Sequence, residues 1–154
     1  MMYNCENNFL DNVENRRLSS VLQGKLPWYL SDNKQLLYHI LVNKNKPIST
    51  FYGLLEPIQK KIKNEINEAT FYMLSSNPIQ KKIIDDSNNI WEENKFLKLI
   101  YHIDSSDGYT EICLKEKIPH TQNRSIIIDN QLNTSEFNPI KSSFSLILKV
   151  LFNK

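Results

Sequence analysis

Glycine is scarce in this chain: three residues in 154. Gly24, Gly53 and Gly108 stand isolated, which excludes a glycine-rich phosphate loop and leaves most turns to Asn, Asp and Ser. Cysteine is scarcer. Cys5 and Cys113 are too few and too far apart for a disulfide framework or a zinc site, and neither forms a Cys-His arrangement with nearby residues. Reduced thiols in a cytoplasmic setting are the expectation. There is little excess of either charge, with 19 Lys and Arg against 17 Asp and Glu, and no face is plainly basic, so a nucleic-acid partner is not expected. No apolar run approaches the roughly 20 residues that span a bilayer. The opening "MMYNCENNFLDN" also lacks the basic-then-apolar order of a signal peptide, so no membrane association is expected.

What is present suits a folded core. Hydrophobic residues make up 40% and aromatics 10%, enough for one domain over residues 1–154. In "FLDNVENRRLSSVLQ" (9–23) the apolar positions recur at helical spacing, with Asp11 or Asn12 as cap and Gly24 as the stop. "LPWYL" (26–30) reads as extended, and "QLLYHILV" (35–42) as a buried strand or a short helix. A second helix is predicted over 48–62, capped by Ser49 or Thr50 and interrupted at Pro57. From residue 66 the pattern turns to strands: 66–74, 96–103, 109–115, 124–129 and 143–152. Helices followed by a run of strands predict an α+β fold with the strands in a sandwich or barrel. The repeated "PIQKKI" at 57–62 and 78–83 falls in two different contexts and reads as coincidence or a basic solvated surface.

Chemistry-bearing residues are thinly spread. Glu92 with Glu93, and Asp85 with Asp86, are adjacent carboxylates of the kind that line solvated loops. Lys60, Lys61 and Lys63 read as a solvated helix face. The stretch "YHIDSSDGYTE" (101–111) contains a His-x-Asp, His102 and Asp104. Residues two apart in a strand face one way, so both are able to reach one metal. The strand's alternation argues against this: Leu97, Leu99, Tyr101 and Ile103 form an apolar face, leaving His102 and Asp104 with Lys98 on a mixed face expected to be partly solvated.

Taken in order, several segments resemble the 2-oxoglutarate/Fe(II)-dependent oxygenases of the prolyl 4-hydroxylase type, in particular short versions from marine bacteriophage. They are "NNFLDN" with "LPWYLSDN", then "PISTFYGLLEPI", "IYHIDSSDGYTE" and "NRSIIID". The resemblance implies a double-stranded β-helix (jelly-roll) with N-terminal helices packed against it. It also implies a 2-His-1-carboxylate iron site, built from a His-x-Asp and a later His, and a cation on the last strand for the 2-oxoglutarate carboxylate. Carried over by position, the His-x-Asp falls on Glu92 and Asn94, or near Asn89 and Trp91 if the loop is not shortened; the distal His falls on Asn133. The cation falls on Ser145, with Lys149 a shifted substitute.

Those replacements predict a non-catalytic relative that uses no cofactor. It would act as a binding or structural module, with a protein partner or self-association, in a host cytoplasm or a virion. The alternative is an active Fe(II)/2-oxoglutarate-dependent hydroxylase with a displaced metal site, needing His102 and Asp104 with His120 or His39, and Lys149 for the cosubstrate. An inward-pointing His102 within reach of another His would overturn the first expectation.

Overall fold

In the computed structural model, residues 3–32, 36–86 and 96–154 are described. Among these the chain forms β1 (Tyr3–Asn7), α1 (Asn12–Gly24), β2 (Tyr29–Leu30), β3 (Leu36–Asn43), β4 (Lys46–Pro47), a 3-10 turn (Tyr52–Leu55), α2 (Glu56–Ile62) and β5 (Ile66–Ser75). There follow β6 (Lys82–Asp86), β7 (Phe96–His102), β8 (Tyr109–Ile112), β9 (Glu116–Pro119), β10 (Arg124–Asp129), β11 (Thr134–Phe137) and β12 (Phe144–Asn153). Asp11 caps α1, its carboxylate accepting from Val13 N at 2.8 Å. Pro57 does not interrupt a helix; it lies in the first turn of α2, where its missing N–H has no intrahelical role. Ser49 caps no helix but accepts from Phe51 N in the turn before it.

The strands make two sheets. The larger runs β1-β10-β7-β12-β5-β3-β2, with β4 beside β3, and the smaller runs β6-β11-β8-β9. Every pairing is antiparallel. This is the double-stranded β-helix expected from the sequence. Among the described residues the α-helices are two and short, and they are not gathered at the amino end, since β1 precedes α1 and β2 to β4 precede α2.

The large sheet is covered on both sides. Leu18 and Leu22 of α1 and Ile58 of α2 pack with Leu99, Tyr101, Leu148 and Val150 on one face. On the other face Ile100, Ile126 and Ile128 meet Ile112 and Ile118 of the small sheet. The strand β7 is therefore buried from Leu99 through His102 on both faces. The sequence reading placed His102 and Lys98 on a partly solvated face; the small sheet covers that face, and His102 is fully buried with Lys98 only 5% exposed. Alternation within a single strand does not reveal a second sheet.

Strand directions bring several ends together. Where β7 ends at His102, β10 begins, since Arg124 pairs with His102; β8 begins and β11 ends, since Tyr109 pairs with Phe137. The same end carries the end of β9, Pro119 being opposite Tyr109. The loop into β12 is clamped there by Asp107, which accepts from the backbone N of Ile140, Lys141 and Ser142 at 2.9–3.1 Å. Nearby, Asn123 at φ 62° ties the start of the chain to this end. Its Oδ1 accepts from Leu10 N and from the Tyr101 hydroxyl, and its Nδ2 donates to Leu10 O.

Replacing Asn123 by Ala strands three buried polar groups and puts a β-carbon residue without a local hydrogen bond in the left-handed region. The variant should lose roughly 2–4 kcal/mol of stability in urea denaturation. A loss below about 1 kcal/mol would show that the network contributes little.

Candidate metal centre

Three strand ends supply the site. His102 closes β7, His120 follows β9 directly, and Glu136 lies on β11 opposite Thr110 of β8. Thr110 and Glu136 are cross-strand neighbours, so their side chains leave the small sheet on one side, facing the large sheet. All four residues are at most 2% exposed. The imidazoles of His102 and His120 meet edge to face with ring centroids 4.6 Å apart. One donor atom each from His102, His120 and Glu136 lies within 4.8 Å of the others.

The hydrogen bonds around these donors are specific. Glu136 Oε1 accepts from the Thr110 hydroxyl at 2.7 Å and lies 2.9 Å from His120 Nε2. His102 Nε2 lies 2.9 Å from Thr110 Oγ1. His120 Nδ1 lies 3.0 Å from Ser145 Oγ, which in turn is bonded to Ser106 Oγ. Two atoms are left over: His102 Nδ1 and Glu136 Oε2 are buried with no hydrogen-bond partner among the described residues. Ser145, His120 and Glu136 also follow the nucleophile, base and orienter order of a hydrolase, with Ser145 fully buried like the other two.

Gly108 is what lets His120 approach. A β-carbon there would lie 2.6 Å from Phe137 O, 2.8 Å from His120 Nδ1 and 2.9 Å from Ser145 Oγ. Backbone bonds lock the same junction, from His120 N to Gly108 O and from Ser106 N to His120 O, each 3.0 Å.

The residues singled out from sequence divide into three groups. His102 and His120 come together at this site, and Ser145 supports His120. Asp104 does not join them; it accepts from Ser19 Oγ and Gln23 Nε2 on the helix side. His39 is held by Pro27 O and Ser49 Oγ on β3, away from the centre. Asn133 is exposed, just before β11 and at the opposite end of that strand from Glu136. Glu92 and Asn94 lie outside the described residues. Glu136 lies in "NTSEF", a short strand with no apolar alternation to announce it, and only the fold reveals that Thr110, Thr134 and Glu136 are buried.

No protein-family model matches the chain, and no curated protein matches it in sequence. Solved structures do match in fold. The viral collagen prolyl hydroxylase of Paramecium Bursaria Chlorella virus-1, as its 2-oxoglutarate complex, aligns over 99% of this chain and 96% of that one, with TM-score 0.64 and 14% identity. HygX of Streptomyces hygroscopicus, with nickel, 2-oxoglutarate and hygromycin B bound, aligns over 98% and 82%, with TM-score 0.71 and 7% identity. A Pseudomonas putida prolyl-4-hydroxylase aligns over 99% and 92%, with TM-score 0.59 and 8% identity. The fold is thus that of the 2-oxoglutarate/Fe(II)-dependent oxygenases. The expectation of a non-catalytic module without cofactor is overturned. Its premise was a lack of donors, and the folded chain assembles two imidazoles and a carboxylate in a fold shared with the viral enzyme's 2-oxoglutarate complex and with HygX bound to nickel and 2-oxoglutarate.

Two outcomes are expected. Gly108→Ala should cost roughly 1–3 kcal/mol in urea denaturation, because backbone and a packed imidazole occupy the space its methyl needs. Burial holds the His102 imidazole well below its ordinary pKa, with His120 and Arg124 adding to the shift. The unfolded chain therefore takes up a proton near pH 6.5 that the folded chain refuses. Stability is retained above that pH and falls as the pH drops below it. Denaturation of metal-free protein at about pH 7.5 and about pH 5.5 should show this loss, and His102→Gln should reduce it.

Proposed function

We propose that this chain is a non-haem Fe(II), 2-oxoglutarate-dependent oxygenase whose metal is held by His102, His120 and Glu136. The observation that carries the reading is the pair of buried acceptors left without partners, His102 Nδ1 and Glu136 Oε2, in a three-donor cluster. A divalent cation is what such atoms lack. Two imidazoles and one carboxylate are the donor set that suits Fe(II) and leaves positions open. This is the displaced arrangement, with Glu136 supplying the carboxylate that Asp104 does not.

The bound metal with 2-oxoglutarate would supply the oxidising chemistry; the chain's own groups set the surroundings. In the metal-free chain His120 Nε2–H faces Glu136 Oε1; were Nε2 to hold a metal, the ring hydrogen would sit on Nδ1 and be donated in a hydrogen bond to Ser145 Oγ. The isoleucines at 100, 112 and 126 keep water from the space between the sheets. Ser145 itself carries no charge for the cosubstrate. Lys149 lies on the same face of β12 as Ser145 and Ile147, and Ile147 is opposite His102. Its ammonium is the cation proposed to hold the distal carboxylate.

Anaerobic titration with Fe(II) should show near-stoichiometric binding that Glu136→Gln and His120→Ala abolish. Fe(II)-loaded protein supplied with oxygen should then convert 2-oxoglutarate to succinate. Lys149→Met should weaken 2-oxoglutarate binding roughly 10- to 100-fold while leaving the metal in place. Wild-type protein that binds no Fe(II) would sink the reading.

A further inference from the structure

We propose that Thr110 is the positioning residue that sets the tautomer of His102, so that Nδ1 is the nitrogen offered to the metal. The inference rests on the metal-centre reading above for its functional meaning, but its structural half stands on the hydrogen bonds alone.

A threonine hydroxyl has one hydrogen to give. An ionised carboxylate only accepts, so the 2.7 Å contact with Glu136 Oε1 uses that hydrogen. The 2.9 Å contact between Thr110 Oγ1 and His102 Nε2 then has one solution, with His102 Nε2–H donating to the hydroxyl oxygen. The neutral ring carries its lone pair on Nδ1, and Nδ1 is the buried atom with no partner. Glu136 has Oε1 engaged by Thr110 and His120, which leaves Oε2 as its outward donor. One hydroxyl thus determines which nitrogen of His102 and which oxygen of Glu136 remain for a cation. An outer hydrogen bond that fixes the tautomer of a ligating imidazole is a recognised way of tuning metal affinity.

The rival arrangement is definite. If Glu136 were protonated and donated to Thr110, the hydroxyl would donate to His102 Nε2, and Nδ1 would carry a buried N–H useless to a metal.

The test has two arms. In metal-free, 15N-labelled wild-type protein, long-range proton–nitrogen correlation of the His102 ring should show the proton on Nε2; a proton on Nδ1 overturns the inference. In the second arm, Co(II) is titrated into wild type, Thr110→Val and Thr110→Ser, with its visible spectrum as readout. Thr110→Val should bind about 10- to 100-fold more weakly, with an altered spectrum, and Thr110→Ser should restore both. Equal binding by folded Thr110→Val overturns the positioning role. Should Thr110→Val not fold, the wild-type tautomer and the serine variant still decide. Wild-type protein that takes up no Co(II) while His102 carries its proton on Nε2 would overturn the metal-centre reading and leave the tautomer assignment standing.

Discussion

A carboxylate with no access to water has to be met by donors or a cation, and Glu136 imposes that requirement on everything around it. Its β11 position between β6 and β8 places it under the large sheet, where the transfer cost of an unpaired charge would exceed the net stability of a domain this size. Thr110 meets it from the adjacent strand and His120 from the loop after β9. His120 reaches it only because Gly108 has no β-carbon. Ser145 and Ser106 follow, since the far nitrogen of His120 also needs a partner. The polar cluster is thus one connected network, and each small residue in it has a steric or hydrogen-bonding reason to be small.

The jelly-roll explains how donors 34 residues apart in sequence, from His102 to Glu136, come into contact. From β5 onward the chain crosses between the sheets at every step except the β8–β9 hairpin, so strand ends from both layers converge at one end of the sandwich. The resemblance to the oxygenases assigned the last ligand to Asn133, at the start of β11. The cluster of two imidazoles and a carboxylate lies at the other end of that strand. Ser145, the position the resemblance gives to the cosubstrate cation, touches His120. What is shared with the solved oxygenases is the frame, and at 7–14% identity the frame is what a structural match establishes.

Much of the frame was readable in the sequence because its central strands are apolar on at least one face. The stretches at 66–74, 96–103, 124–129 and 143–152 became β5, β7, β10 and β12, and Asp11 capped the first helix. The strands β6, β9 and β11 escaped notice, being four or five residues each with polar or exposed members. Those are strands of the small sheet. Without that sheet, the second face of β7 looked wet and His102 looked idle. The site was therefore hidden by the same omission that hid half of the sandwich, and Glu136 could not be paired with His120 before β11 was known.

Leaving two acceptors unsatisfied in a closed interior costs about 1–3 kcal/mol for each, which is a sizeable part of a domain's stability. Replacing Glu136 by an apolar residue of similar size would remove most of that cost, as would a leucine in place of His102. The network instead keeps both and spends Thr110, Ser106, Ser145 and Gly108 on holding them in place. A purely structural polar core has no need of unpartnered atoms, since it can close its own hydrogen bonds. Unpaired lone pairs on a rigid cluster of imidazole and carboxylate are what the proposed cation would satisfy, and its binding would stabilise the fold by linkage.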